Sequence, residues 1–261
     1  VTAQHAVTRT EEGEKVIPQQ ITILTADLDE FPALLTGVNA FVDLAVYQVS
    51  GEAAQRGVAP APFADKEPEP GDEVFTVGYP LGRGPVVGFG RIGSLNTYLP
   101  TVESRLLQID MSACSGNSGG GLFSAKGEIV GVVHAVILTE TVQGQGGCSR
   151  FAFAVPGRLV HRTMTALIQG APPSFSRLGL HLSAAKLGTR WRVAVADLDG
   201  PALEAGIQKG DILLSIESLE ITDAAQLKTY LIERTVPGQR VAIRVLRGNH
   251  EHLLFVTLGT G

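Results

Sequence analysis

The chain has 261 residues, enough to bury two hydrophobic cores, and its 26 acidic against 21 basic residues leave a formal net charge of −5. With a pI near 5.7 that balance argues against a nucleic-acid surface, and no apolar run approaches the ~20 residues a membrane-spanning helix needs. Two cysteines are too few for a disulfide framework or a cysteine-spaced metal site, and neither repeats nor a low-complexity tract interrupt the chain.

Along the chain, short apolar runs between Gly/Pro turns predict a mainly β first part. Thr8 to Lys15, rich in acids, reads as an exposed loop, and Ile21-Thr22-Ile23-Leu24 as a strand. Asp43 is a lone acid inside an apolar, strand-like segment from Phe41 to Val46. Val58 to Pro70 is a Pro/Ala-rich connection, and Glu73 to Val77 the next strand. Two further strands are expected in the apolar run from Glu128 to Val136 and over Phe151 to Val155. Leu159, Val160, Met164, Leu167 and Ile168 recur at helical spacing within Arg158 to Gln169, which ends at Gly170; that apolar stripe is expected to pack on the β part. Ala171-Pro172-Pro173-Ser174 is a short, stiff linker, and a second helix is predicted over Asp223 to Ile232.

The segment richest in chemistry is Gly116-Asn117-Ser118-Gly119-Gly120, one hydroxyl among glycines just before an apolar strand. A serine hydroxyl is a poor nucleophile until a base takes its proton and donors stabilise the oxyanion that follows. Glycines let a backbone turn N–H groups toward a reacting carbonyl. By itself the string reads equally as a Gly-rich hairpin turn. His5 alone would be a surface or satisfied core histidine, and an isolated Asp43 an acid at a strand edge. A buried carboxylate is nevertheless costly unless hydrogen-bonded, and orienting a histidine meets that need. Histidine, then aspartate, then serine is the chain order of chymotrypsin-like serine proteases.

On these residues the chain resembles the HtrA/Deg family. Thr2-Ala3-Gln4-His5 is similar to the family's segment around its catalytic histidine, and Asp43-Leu44-Ala45-Val46 to its DLA(L/V) segment. Val77 to Gly82 with Gly88 to Leu95 resembles its IGNPxG…GIVS stretch, while Gly127 to Val132 and Phe151 to Pro156 match the strands after the nucleophile. Asp199 to Ile207 with Lys209 to Leu213 resembles the GSPAxxAGLxxGD segment of the family's PDZ domain. The likeness covers nearly the whole chain. It implies a mainly β architecture: a chymotrypsin-like double β-barrel over 1–156, a helix and linker over 157–174 and a PDZ domain over 175–261. Because His5 normally follows several strands, the first barrel is expected to be N-terminally incomplete, and the chain as it stands a damaged enzyme.

The roles implied by the resemblance are Ser118 as nucleophile, His5 as base and Asp43 as its orienter, with the amides of Gly116 and Ser118 as oxyanion hole. Ser112 falls at the floor of the S1 pocket and Val136 and Phe151 at its walls, none acidic, which favours a small aliphatic residue over Lys or Arg. The loops Leu138 to Gly147 and Thr97 to Glu103 are unusual in composition and can reshape that pocket. His134, beside it, is expected to be structural. Gly121, where the family has proline, is expected to leave the loop freer. In the wider trypsin-like superfamily a disulfide joins the loops of Cys114 and Cys148. Such a bridge between residues 34 apart is worth roughly 3–4 kcal/mol in the loop-entropy model and implies an oxidising compartment; two unrelated buried thiols are the alternative. Leu178, Gly179 and Leu180 match the PDZ carboxylate-binding loop, with Asp223 to Ile232 as the groove's other wall; Leu227 and Leu231 point to groove or core, core being expected for one of them. The expected partners are unfolded or exported polypeptides and C-terminal peptides, without nucleic acid, metal or cofactor, in a bacterial periplasm or cell envelope. Homo-oligomers, trimers in the family, depend there largely on N-terminal elements. A peptide-binding scaffold without catalysis is the alternative function.

Overall fold

The computed structural model describes residues 1–25, 29–49, 60–82, 84–99, 104–136, 148–171 and 174–261. Residues 58–59 of the proline-rich connection, 172–173 of the linker, 100–103 of one unusual loop and 138–147 of the other lie outside them. The chain forms two compact units, Val1–Pro173 and Ser174–Gly261. Among the described residues no helix is long and apolar enough to cross a membrane.

The first unit opens with β1 (Thr2–Ala3), the one-turn helix α1 (Gln4–Val7), β2 (Arg9–Glu11), β3 (Glu14–Val16), β4 (Gln20–Leu24), β5 (Glu30–Asn39) and β6 (Leu44–Val49). Strands β1, β6, β5 and β4 form, in that order, an open antiparallel sheet. The segment expected as an exposed loop is instead the exposed hairpin β2–β3. Glu12 and Gly13 both take positive φ (51° and 88°), which matches the twist of a two-residue hairpin connection.

Then follow β7 (Glu73–Gly78), β8 (Val86–Thr97), β9 (Leu106–Cys114), β10 (Gly121–Ser124), β11 (Ile129–Val136) and β12 (Cys148–Pro156), which close into a barrel in the order β10-β11-β12-β9-β8-β7. Period-two alternation sets which side faces in: Leu107, Ile109, Met111 and Ala113 of β9 all enter the core. Helix α2 (Gly157–Ile168) buries Leu159, Val160, Thr163 and Leu167. A Cβ at Gly37 of β5 would lie 2.9 Å from a Leu167 methyl, so the helix stripe sits on the β structure as expected.

In the second unit β13 (Ser176–Arg177) pairs with β20 (Gly259–Thr260). The main sheet runs β14 (Leu180–Leu187), β15 (Arg190–Leu198), β16 (Ile212–Ile216), β18 (Arg240–Arg247), β19 (His250–Thr257), with β17 (Leu219–Glu220) also on β16. Helix α3 (Gly200–Glu204) carries Pro201 in its first turn, where a missing N–H costs nothing. Helix α4 (Ala224–Arg234) is capped by the Asp223 carboxylate, which accepts from the Gln226 amide at 2.9 Å. Both Leu227 and Leu231 are in the core, where only one was expected. Alternate residues Val241, Ile243 and Val245 of β18 complete it.

Candidate functional site

His5 projects from α1, directly after β1 has paired with the start of β6. Asp43 immediately precedes β6. It lies in a turn rather than inside the expected strand, because Asn39 accepts from the Phe41 and Val42 amides at 2.9 and 3.2 Å and reverses the chain. Asp43 itself takes φ +55°, a left-handed conformation that costs a non-glycine residue about 1 kcal/mol or more. In return its carbonyl and both carboxylate oxygens contact the histidine segment. Its carbonyl accepts from the Gln4 amide (2.9 Å), Oδ1 accepts from the His5 amide (2.9 Å), and Oδ2 lies 2.5 Å from His5 Nδ1. A carboxylate only accepts, so Nδ1 carries the imidazole proton and Nε2 is left as the basic nitrogen.

A second histidine reaches the same oxygen. His134 on β11 is 4% exposed, and its Nδ1 stands 2.7 Å from Asp43 Oδ2. The two imidazoles meet edge to face, with centroids 5.4 Å apart. His134, expected to be structural rather than catalytic, thus shares the Asp43 oxygen that His5 contacts. Burial pushes the Asp43 carboxyl up, but hydrogen bonds from His134 and His5, with the charge of His5, outweigh it and hold the group well below the usual carboxylate range. The signal that singled out Asp43, a lone polar residue in an apolar run, was present in Val132-Val133-His134-Ala135-Val136 as well.

Ser118 occupies the loop from β9 to β10. The loop is tied internally by Asn117 N–H to Cys114 O and Gly120 N–H to Asn117 O, both 3.1 Å. Gly119 N–H donates to Val133 O at 2.7 Å, and Val133 N–H to Gly120 O at 2.9 Å. A Cβ at Gly119, whose φ is +84°, would fall 2.0 Å from Thr2 Oγ1 and 3.0 Å from Ala3 N. The serine loop is therefore wedged between the segments that immediately precede His5 and His134, and a side chain at 119 would drive it off both. The amides of Gly116 and Ser118 donate to nothing among the described residues. Tyr79 N–H to Gly116 O (3.3 Å) and Leu81 N–H to Ser115 O (2.7 Å) fix the outer side of the loop.

Gly121, expected to leave this loop freer, has a packing role as well. It begins β10, paired with Val132, and a Cβ there would lie 2.5 Å from the Phe123 ring, which stacks on Phe75 at 5.3 Å. The glycine makes room for an aromatic ring. Cys114 and Cys148 are opposite each other in the β9–β12 ladder and form a disulfide at the foot of the loop. Of the three residues expected at S1, Ser112 and Phe151 are exposed on the neighbouring strands β9 and β12, and the backbone of Val136 pairs with Ala152. The adjoining loop, 137–147, is outside the described residues.

In the second unit Leu178 is buried and Gly179 takes φ +79°, with room for no side chain: a Cβ would lie 2.2 Å from Asp199 O. Asp199 N–H donates to Gly179 O (2.9 Å) and Ala202 N–H to Leu178 O (3.0 Å), while Arg177 Nη2 reaches both Asp199 carboxylate oxygens at 2.8 and 2.7 Å. Leu180 then opens β14, the terminal strand of its sheet among the described residues.

Comparison with known proteins extends over the same two regions. Residues 1–132 match the family model of the trypsin-like peptidase domain, and residues 176–258 that of the PDZ domain. The serine protease Do-like HtrB of Bacillus subtilis is 26% identical over 92% of this chain and 56% of its own length. A probable periplasmic serine endoprotease DegP-like of Brucella suis is 28% identical over 91% and 47%, and the serine endoprotease DegS of Escherichia coli 29% identical over 92% and 69%. The chain thus spans about half the length of the first two. Among solved structures, the HtrA-type protease AlgW with decapeptide superimposes with a TM-score of 0.75 at 27% identity, covering 100% of this chain and 78% of that one. AlgW with tripeptide gives a TM-score of 0.77 at 26% identity, over 100% and 85%.

Proposed function

The chain belongs to the HtrA/Deg family of serine proteases, and we propose that it is an endopeptidase working through His5, Asp43 and Ser118. The observation that carries this reading is the grip of Asp43 on His5, by the ring at 2.5 Å and the main chain at 2.9 Å. It holds the imidazole in the tautomer whose Nε2 accepts a proton. Ser118 Oγ attacks the scissile carbonyl as its proton passes to His5 Nε2. The tetrahedral oxyanion takes hydrogen bonds from the Gly116 and Ser118 amides, and collapse sends the proton from His5 to the leaving amine. Water then enters by the same route and releases the acyl group. Asp43 stays ionised throughout, stabilising the imidazolium.

The S1 pocket is assigned to Ser112, Val136 and Phe151. Without an acid among them, a small aliphatic residue suits it better than Lys or Arg. The buried Leu178, the amides around Gly179 and Leu180 and the edge of β14, unpaired among the described residues, suit a C-terminal peptide added as a further strand. The AlgW structures with decapeptide and with tripeptide favour peptide recognition. Unfolded or exported polypeptides in an extracytoplasmic bacterial compartment are the proposed substrates, in line with the relatives named periplasmic and with the Cys114–Cys148 bridge. The role is quality control of such proteins.

A fluorophosphonate probe tests the assignment. Adduct on Ser118 in the native chain, absent in Ser118→Ala, is the expected result. A folded chain that binds C-terminal peptides yet leaves Ser118 unlabelled would replace the peptidase by a peptide-binding scaffold.

A further inference from the structure

A triad needs one imidazole on its carboxylate, and this one has two. His5 Nδ1 and His134 Nδ1 converge on Asp43 Oδ2 from opposite elements, α1 and β11. Among the described residues these are the one group of three His, Cys, Asp or Glu side chains whose ligating atoms all lie within 4.8 Å of one another. We propose that the group is also a binding site for a divalent transition-metal ion, with Zn²⁺ as its reference occupant, and that occupancy switches the protease off. The switching rests on the peptidase reading above; the binding does not.

Two neutral imidazole nitrogens and one carboxylate oxygen form the three-protein-ligand set of open zinc sites, and hard oxygen-seeking ions such as Mg²⁺ find too few oxygens here. Bonds of about 2.0–2.2 Å at tetrahedral angles place ligand atoms roughly 3.3 Å apart. The present N···O separations of 2.5 and 2.7 Å must then open by about 0.6–0.8 Å, within the reach of small ring rotations. The His5 side chain is 48% exposed, against 5% for His134 and 12% for Asp43. Solvent therefore reaches the group from the His5 side, which is the entry path and the place for a water as fourth ligand. The cysteines, stronger zinc ligands, are withdrawn by their disulfide.

The consequence follows from proton positions. In the hydrogen-bonded state His5 carries its proton on Nδ1 and accepts with Nε2. Coordination at Nδ1 takes that nitrogen's lone pair, and the neutral ring's single proton moves through solvent to Nε2, with no net proton lost. Nε2 then donates, and no base remains for Ser118.

The test uses the metal-stripped full chain titrated with Zn²⁺ by calorimetry and with Co²⁺ followed by its visible d–d bands. One ion per chain and a four-coordinate Co²⁺ spectrum are expected. His134→Asn and, on the exposed helix, His5→Gln should each weaken binding at least about tenfold. Saturating Zn²⁺ should slow fluorophosphonate labelling of Ser118 at least about tenfold, with recovery in EDTA. Absence of saturable binding, or binding that folded His134→Asn and His5→Gln leave unaltered, overturns the site. Labelling that proceeds at full rate with the site saturated overturns the switch. Failure of labelling without metal would instead strike the peptidase reading, and the calorimetric and Co²⁺ readings would still decide the site.

Discussion

Gly116→Ala isolates the oxyanion loop from everything else in the site. A Cβ at residue 116 would stand 2.2 Å from Tyr79 O and 3.3 Å from Leu81 N. Ordinary contact with a carbonyl oxygen needs about 3.3 Å, so something must move by roughly 1 Å. Tyr79 cannot move cheaply: its carbonyl accepts from Gly82 N–H at 2.9 Å and its amide is bonded to Gly116 O. The loop yields instead, and the φ of +101° at residue 116 relaxes with it. That displaces the amide assigned to the oxyanion, and losing one such donor costs about 10²–10³ in rate, or about 2.7–4 kcal/mol. Gly127→Ala is the matched control, with φ +81° and no atom within 4 Å, so it bears about 1 kcal/mol of backbone strain and nothing else. Single-turnover acylation of Ser118 and the melting temperature, measured on both variants, separate the terms. A stably folded Gly116→Ala that acylates within about threefold of the native rate would refute the oxyanion assignment.

Reduction of the Cys114–Cys148 bridge, or its replacement by two serines, should lower stability by roughly 3–4 kcal/mol, read as the shift in denaturant midpoint. Gly179→Ala forces a Cβ to 2.2 Å from Asp199 O and should weaken C-terminal peptide binding at least about tenfold by fluorescence anisotropy, while Ser118 labelling is unchanged. Asp43 has its carboxyl held low by the two histidines. It contributes stability that is complete above the ordinary carboxylate range and is lost as pH falls through the lowered value. From about pH 5 to about pH 2 the native urea midpoint should therefore fall more steeply than that of Asp43→Asn, and equal slopes would contradict the assignment.

How far the sequence disclosed the structure depended on how local each signal was. The helix expected within Arg158–Gln169 and found over Gly157–Ile168, and the strands expected over Glu73–Val77, Glu128–Val136 and Phe151–Val155, are written within one segment each, and they appear where expected. The hairpin β2–β3 was missed because its residues are all exposed: no apolar periodicity marks it, and only Glu12-Gly13 hints at the turn. The packing role of Gly121 was hidden for a related reason. A glycine's freedom is visible in sequence, whereas the Phe123 ring that occupies the space of its missing side chain is not.

His5 and Asp43, read as partners from type and order, meet in the structure, and their neighbour His134 was not foreseen. Asp43 is bonded to His5 from 38 residues away and to His134 from 91. Such separations leave no trace in spacing, but the requirement behind them does. A buried carboxylate has two oxygens to satisfy, and the His5 ring and amide supply only two of the donors it can accept. The remaining demand calls for a further donor, and a polar side chain on a buried strand is one source. The apolar strand β11 offers one at His134, beside Val133, whose backbone clasps the serine loop. Asking what else a buried acid must bind therefore narrows the search to polar residues on apolar strands, without singling out His134. The same demand explains why the site holds a second imidazole whose other consequence, a metal-binding triad of side chains, catalysis alone does not require.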